Sequence, residues 1–182
     1  MQATFRTYSS DIIAGVIIII IIIFLQTWLM GNAIFFLDIG LVIGFGLWVV
    51  QTKKVSIPDI TKLYFIAIGI QCFHFLEEYL TGFQTKFPLL FGYTWSDEQF
   101  VAFNLIWLGV LILNGVWLYS ATRLSYLLVY CFAVIGGIGN GIGHPLLSLR
   151  AGGYFPGLIT SPLLLIIGIV LLNKMHMTVK NI

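Results

Sequence analysis

The chain has 182 residues, of which 59% are hydrophobic and only 9% are charged. Soluble domains are about 45–50% apolar and about 25% charged, so this composition excludes a soluble globular domain and predicts an all-α polytopic membrane protein. The net charge of +2 is too small to indicate a nucleic-acid partner. The length suits one transmembrane domain over residues 1–182.

Six apolar segments are long enough to cross a bilayer, which requires about 20 residues of helix. The first is interpreted as a retained helix, because its apolar run exceeds the roughly 7–15 residues of a signal peptide and no clear cleavage site follows. The fifth contains Pro145, which we expect to end or kink its helix. The predicted spans are 12–30, 33–50, 61–81, 100–120, 124–147 and 155–172.

Basic residues are distributed unequally between the two sides of these spans. The side that holds both termini has seven: Arg6, Lys53, Lys54, Lys62, Arg123, Lys174 and Lys180. The other side has two, Lys86 and Arg150. Lysine and arginine favour the cytoplasmic side of a membrane. The sequence therefore predicts a multi-pass protein of the cell (inner) membrane with cytoplasmic N- and C-termini.

Three ionisable residues, His74, Glu77 and Glu78, lie in the outer half of the third span. A charged residue in the bilayer centre costs roughly 2.5–3.5 kcal/mol on insertion scales, so such residues usually mark a functional site. At 3.6 residues per turn, the two glutamates flank the histidine at roughly −60° and +40°, on one helix face. The alternative is that all three are solvated at the outer interface.

The fifth span carries a second polar pair, Asn140 and His144, one helical turn apart and at the same predicted depth as His74. Small residues allow membrane helices to approach closely, so we expect this helix to pack against the third. Ordinary helix packing with interhelical hydrogen bonds is the alternative. The small residues are Gly136, Gly137, Gly139, Gly141 and Gly143.

Two further polar residues, Asp38 and Asn104, are predicted at the outer ends of the second and fourth spans. Asp38 could join the site, but we favour an interaction with the N-terminus of its own helix. Asn104 is a weaker candidate than Asp38.

Three motifs in chain order give the sequence a family resemblance: His74-Phe-Leu-Glu77-Glu78, Asn140-Gly-Ile-Gly-His144 and Tyr154-Phe-Pro-Gly157. This arrangement, within residues 74–157, resembles the HxxEE, NxxxH and YxPG motifs of the HXXEE domain family. The resemblance implies an integral membrane protein but no particular reaction. It also implies that the family's functional residues are His74, Glu77, Glu78, Asn140, His144 and Tyr154.

Two histidines and a carboxylate suffice for a zinc site with an open fourth position. We therefore predict that His74, Glu77 and His144 bind a divalent metal, zinc being the leading candidate, and that Glu78 acts as the general base. Asn140 and Tyr154 would orient the substrate or stabilise developing charge. The predicted protein is a metal-dependent membrane hydrolase that acts, within the lipid bilayer, on a lipid or other apolar substrate.

Two alternatives remain open. Glu77 and Glu78 could share a proton in a metal-free, glutamate-based intramembrane hydrolase. The same carboxylates could instead carry a proton or cation in a transporter, or bind a small ligand.

Overall fold

All regular secondary structure in the described part of the chain is helical. The structure is a computed structural model that describes residues 2–51 and 57–176, with side chains in 9–51 and 59–176. The helices are α1 (Gln2–Met30), α2 (Phe35–Val50), α3 (Ile57–Thr81), α4 (Phe83–Leu89), α5 (Asp97–Trp117), α6 (Leu127–Phe132), α7 (Asn140–Ala151) and α8 (Ser161–His176). A π-helical segment, Ala133–Gly139, joins α6 and α7 into one continuous rod.

The described helices make six membrane crossings. Four segments are long and apolar enough to span a bilayer: Ser9–Val50, Asp59–Thr81, Asp97–Ser120 and Leu124–Ala151. The first segment has 42 residues, or about 63 Å of helix, which is roughly twice the thickness of a hydrocarbon core. It therefore crosses twice, and α8 makes the sixth crossing. The prediction of a multi-pass, six-helix membrane bundle is confirmed.

The first two crossings form a helical hairpin. The chain reverses in a 3-10 turn, Gly31–Ile34, where Gly31 has a φ of +70°. After the reversal α2 runs back along α1, so that a Cβ atom on Gly15 would lie 2.8 Å from the ring of Trp48. Gly31 permits the reversal because a residue with a side chain rarely adopts this left-handed conformation.

Hydrogen bonds at one end of the bundle, called here the Arg123 end, tie the fifth crossing to the second. The guanidinium of Arg123 donates to the carbonyl oxygens of Trp48 and Val49 at 3.2 and 2.9 Å. These carbonyls belong to the C-terminus of α2, where a positive charge is favourable. The opposite end, called the His144 end, carries the loops that follow α3 and α7.

The identity of the Arg123 end as the cytoplasmic side stays a prediction. Three basic residues on which it depends, Lys53, Lys54 and Lys180, lie outside the described residues. Arg6 lies in α1, but its side chain is outside the described part as well.

Glycines mediate the packing of the rod, formed by α6, the π-helical segment and α7, against α8 and α2. A Cβ atom on Gly137 would meet the backbone of Gly168 in α8, and one on Gly44 in α2 would lie 2.7 Å from the Cα atom of Cys131. The prediction that these glycines pack the rod against the third helix was therefore wrong. The physical reason is that α8 supplies Gly168 opposite Gly137, and the glycines of α2 lie against larger residues of the rod. The third helix meets the rod through large side chains such as Tyr64, whose ring packs on Phe132.

Pro145 lies inside α7, which continues to Ala151. Of the two expectations, that this proline ends or kinks its helix, the first was therefore wrong. Its missing N–H frees the carbonyl oxygen one turn earlier, and membrane helices accommodate such freed groups through local adjustments of the backbone.

The last helix begins later than predicted, at Ser161 rather than Phe155. Residues 156–160 form turns, in which Gly157 has a φ of +88°. The apolar composition of this stretch resembles a helix, but its backbone groups make hydrogen bonds to side chains of α3 and α7 instead. This turn segment, residues 156–160, is one wall of the candidate site.

Candidate metal site

Two histidines and one glutamate from α3 and α7 meet at the His144 end of the bundle. The Nε2 atoms of His74 and His144 lie 3.1 Å apart, and Glu78 Oε1 lies 3.6 Å from the first and 3.4 Å from the second. The three residues are buried, with relative exposures of 0% for His74, 3% for His144 and 7% for Glu78. The structure thus brings together two histidines that are 70 residues apart in the sequence.

A backbone carbonyl fixes the orientation of His144. Its Nδ1 atom lies 2.6 Å from the carbonyl oxygen of Pro156. A carbonyl oxygen only accepts hydrogen bonds, so Nδ1 carries the proton and donates it. The Nε2 atom of the neutral ring therefore presents a lone pair to His74 and Glu78.

A hydroxyl group fixes His74 in the same way. The Thr160 hydroxyl donates its single proton to Glu77 Oε2 at 2.5 Å, and its oxygen lies 2.7 Å from His74 Nδ1. Because that proton is already used, the hydroxyl accepts from His74, and Nδ1 is the protonated nitrogen. Both Nε2 lone pairs therefore point at one another and at the Glu78 carboxylate.

Glu77 organises the turn segment and forms no ion pair with the histidines of the described chain. Its Oε1 atom accepts from the Tyr154 hydroxyl at 2.7 Å and from the Ile159 N–H at 2.9 Å. Its Oε2 atom accepts from the Thr160 N–H at 2.8 Å, in addition to the Thr160 hydroxyl. The four donors hold the carboxylate against Tyr154 and the turn segment.

The structure brings Glu78, rather than Glu77, next to the two histidines. The group able to hold a metal is His74, Glu78 and His144, whereas the predicted third ligand was Glu77. Both glutamates share the helix face of His74, and which one meets His144 depends on the positions of α7 and the turn segment. Spacing along α3 does not contain that information.

Tyr154 lies at the outer edge of the site and is 44% exposed. Partial burial raises the pKa of its phenol, so the hydroxyl remains protonated and donates to Glu77. Asn140 is half-buried one turn before His144, and its side chain makes no hydrogen bond within the described residues. The structure thus connects Tyr154 to the site through Glu77 and leaves the Asn140 amide available.

Asp38 and Asn104 make hydrogen bonds outside the candidate metal site. The Gln26 amide of α1 donates to Asp38 Oδ1 at 2.5 Å, which links the two helices of the hairpin. Asp38 also lies in the first turn of α2, as predicted. The Asn104 amide donates to the carbonyl oxygen of Phe100 in its own helix at 3.0 Å.

Sequence reasoning missed Thr160 and the Pro156 carbonyl, which orient the two histidines. Thr160 is one small polar residue beside an apolar run, and nothing local distinguishes it. Gly157 did carry a signal, because it belongs to the third motif. Its φ is +88°, and a Cβ atom there would overlap the imidazole ring of His144, so the close approach of this turn requires glycine.

A further polar group, Gln71, lies one turn before His74 on α3. Its Oε1 atom is buried and has no hydrogen-bond partner among the described residues. It faces the rod at the π-helical segment, where a Cβ atom on Gly136 would lie 3.4 Å from it. A buried acceptor without a partner is costly, so this oxygen is available to a bound water or ligand.

The geometry of the three inner atoms fits a metal ion. In tetrahedral zinc sites with bonds of about 2.0–2.1 Å, neighbouring ligand atoms lie about 3.3–3.4 Å apart. The observed separations of 3.1, 3.4 and 3.6 Å bracket this range. Each imidazole also donates its other N–H to a fixed acceptor, the arrangement that orients metal-binding histidines. The site can therefore hold a metal ion.

The fold and the site define a class: multi-pass helical membrane proteins with a buried His–Glu–His group between two crossings. A family described as proteins of unknown function with an HXXEE motif matches residues 65–171. The chain belongs to this family, which confirms the resemblance seen in the motifs. No curated protein and no solved structure matched the chain.

Proposed function

We propose that this protein is a metal-dependent membrane enzyme in which His74, His144 and Glu78 bind the ion. The observation that carries the proposal is the convergence of two imidazole lone pairs and one carboxylate oxygen in a buried space. Without a cation these three electron-rich atoms repel one another. Imidazole and carboxylate ligands with an open fourth position favour zinc.

The reaction class that suits this site best is hydrolysis. When bound, a zinc ion would supply an activated water and polarise a carbonyl or phosphoryl oxygen. Glu78 makes no hydrogen bond to other described residues, so its second oxygen is free to accept a proton from water. This assignment gives Glu78 both the predicted role of base and the role of ligand.

The remaining polar residues have supporting roles in this proposal. Glu77 holds Thr160, and through it His74, in position. The amides of Asn140 and Gln71 would hydrogen-bond a substrate or its developing charge. The Tyr154 hydroxyl, which donates its proton to Glu77, would accept a hydrogen bond from the substrate.

The substrate class follows from the surroundings. The ligands lie within membrane-crossing helices, and the ring of Phe83 lies 5.5 Å from that of His144. A lipid or another apolar molecule reaches such a site from the bilayer, whereas a polar solute would have to leave water.

A proton is the alternative occupant. The 3.1 Å separation of the two Nε2 atoms is also that of an N–H···N hydrogen bond, formed when one imidazole is protonated. That reading favours a metal-free enzyme or a proton-coupled transporter. The four donors around Glu77 disfavour the version in which Glu77 and Glu78 share the proton.

The test is hydrolysis of bilayer lipids by the purified protein in nanodiscs. We expect release of a fragment that stops on chelation, returns with zinc, and is absent in His144→Ala. His176→Ala is the matched control, because that histidine is exposed at the Arg123 end. Turnover that is insensitive to chelation, or that survives in His144→Ala, would contradict the proposal.

A further inference from the structure

Polar side chains form a row along one face of α3, from the candidate metal site towards the Arg123 end. Tyr64, Gln71 and Glu78 are spaced seven residues apart. Seven residues make close to two helical turns, or about 10.5 Å, so the three side chains lie on one face. This face packs against the rod at each of the three positions.

Buried oxygen atoms along this row lack hydrogen-bond partners within the described part of the chain. They are Thr61 Oγ1, Asn114 Oδ1 and Gln71 Oε1. Thr61 and Asn114 are each only 3% exposed. Asn114 belongs to α5, and its amide donates to the Tyr64 hydroxyl at 3.4 Å, which places it beside the row. A buried polar atom without a partner is costly, and ordered water is a common partner in folded proteins. These atoms therefore indicate bound water along the row.

The row extends from the Arg123 end of α3 almost to the histidines. Thr61 lies one turn after Ile57, where α3 begins. Gln71 lies one turn before His74. A helix rises about 1.5 Å per residue, so the distance along α3 from Thr61 to Gln71 is about 15 Å. Bound water over this distance would connect the aqueous surface at the Arg123 end with the buried imidazoles.

An aromatic ring lies in the row between Tyr64 and Gln71. The ring of Phe132 packs on that of Tyr64, with centroids 5.7 Å apart. A Cβ atom on Gly136 would lie 2.4 Å from this ring and 3.4 Å from Gln71 Oε1, so the ring also reaches the neighbourhood of Gln71. The π-helical segment begins at the next residue, Ala133, and π-helical turns are frequent at functional sites. Water that moves along the row must pass this ring.

We propose that this face of α3, together with Asn114 of α5, lines a water passage from the Arg123 end to the candidate metal site. The hydroxyls and amides of the row bind water without a change of their own charge. Hydrolysis consumes one water molecule for each bond cleaved, so the passage would supply the second substrate of the proposed enzyme. The inference rests on the proposed function for that purpose only, because the passage itself requires no metal.

The test is X-ray hydroxyl-radical footprinting of the full-length protein in nanodiscs. Radiolysis of bound water oxidises the side chains beside it, including buried ones. We expect oxidation of Phe132, although it is only 6% exposed. Phe100 is the matched control, because it is 2% exposed and packs among other aromatic rings away from the row. After brief mixing with heavy-oxygen water, Phe132 should acquire the heavy isotope, since the passage exchanges with bulk water.

Two conservative variants remove polar groups of the row. Gln71→Met and Tyr64→Phe should each lower the oxidation of Phe132 about tenfold, because a bound water then lacks one hydrogen-bond partner. Tyr130→Phe is the matched control for the second variant. The Tyr130 hydroxyl is also buried without a partner among the described residues, but its ring packs on His176 near the end of α8. This control should leave the oxidation of Phe132 unchanged.

Three results would overturn the inference. The first is a Phe132 as unreactive as Phe100 in the wild type, and the second is equal oxidation of Phe132 in the wild type, Gln71→Met and Tyr64→Phe. The third is oxidation without uptake of heavy oxygen, which would show a trapped water instead of a passage. Zinc content and lipid hydrolysis measured on the same samples separate the two proposals. A labelled passage in a protein that binds no zinc would remove the enzyme, and a zinc-dependent hydrolase without labelling would remove the passage.

Discussion

Gly157 shows how closely a backbone can approach a functional imidazole. Its left-handed conformation costs a residue with a side chain roughly 1–2 kcal/mol, and a Cβ atom there would also overlap the His144 ring. The matched position is Gly152, which has a similar φ of +69° but open space around it. A comparison of alanine substitutions at these two glycines therefore distinguishes the cost of backbone strain from the effect of displacing His144.

For Gly157→Ala we predict a larger loss of stability and of metal affinity than for Gly152→Ala. The first change combines the conformational cost with an overlap worth about 1–3 kcal/mol, and the second has the conformational cost alone. Thermal unfolding in detergent and zinc titration measure the two effects. Equal behaviour of the two variants would show that Gly157 does not constrain His144.

Thr160 links Glu77 to His74, so its hydroxyl should matter more than its methyl group. Thr160→Val removes the acceptor for His74 Nδ1–H and a donor to Glu77. We predict that metal affinity falls about 10–100-fold, the usual effect of losing such an orienting partner. Thr160→Ser keeps the hydroxyl and should bind nearly as the wild type does. Wild-type affinity in Thr160→Val would contradict this role.

For individual residues, the sequence identifies the candidates but does not predict which of them contact one another. His74, His144 and both glutamates were predictable because ionisable residues in a membrane span are costly. The sequence could not predict that Glu78, rather than Glu77, meets the two histidines, because this depends on where the turn segment lies. Thr160 and the Pro156 carbonyl act through contacts 86 and 12 residues away along the chain.

Among the helices, the central contact is the crossing of the rod and α8, where two glycines meet. A side chain on Gly137 would press on the backbone of Gly168, whereas Gly143 in the same rod has open space. Backbone at this crossing cannot move aside as a flexible side chain can.

We predict that Gly137→Leu destabilises the bundle by about 1–3 kcal/mol or more through overpacking. Gly143→Leu gains the same helix propensity without the clash, so its stability should be unchanged or higher by up to about 1 kcal/mol. Chemical unfolding in mixed micelles measures both. A Gly137→Leu variant as stable as Gly143→Leu would contradict the packing described for this crossing.

The six crossings were predictable from hydropathy because the bilayer imposes both length and composition on a span. The start of α8 and the course of the chain at Pro145 were not. At the start of α8 an apolar stretch is compatible with helix or turn, and hydrogen bonds to Glu77 and His144 favour the turn. At Pro145 the helix continues because the surrounding backbone accommodates the freed carbonyl. The close packing of the rod on α8 was also not predicted, because a pattern of glycines does not indicate which helix packs against it.

For the whole molecule, the distribution of basic residues predicts which end faces the cytoplasm. If the Arg123 end is cytoplasmic, a cysteine introduced at Lys86, on α4 at the opposite end, should react with a membrane-impermeant maleimide in intact cells. A cysteine at Lys174 should react only after permeabilisation. The parent for both is a Cys72→Ala, Cys131→Ala variant, since these are the free cysteines of the described chain. The reverse labelling pattern would place both termini outside.

The central claim is that the buried His–Glu–His group binds a metal ion through Glu78. Its most direct test is the zinc content of Glu78→Gln compared with Glu98→Gln, a matched change at an exposed glutamate at the start of α5. The wild type and Glu98→Gln should each bind one equivalent of zinc, and Glu78→Gln should lose most of it. A Glu78→Gln protein that retains wild-type zinc, or a wild type that binds none, would contradict the claim.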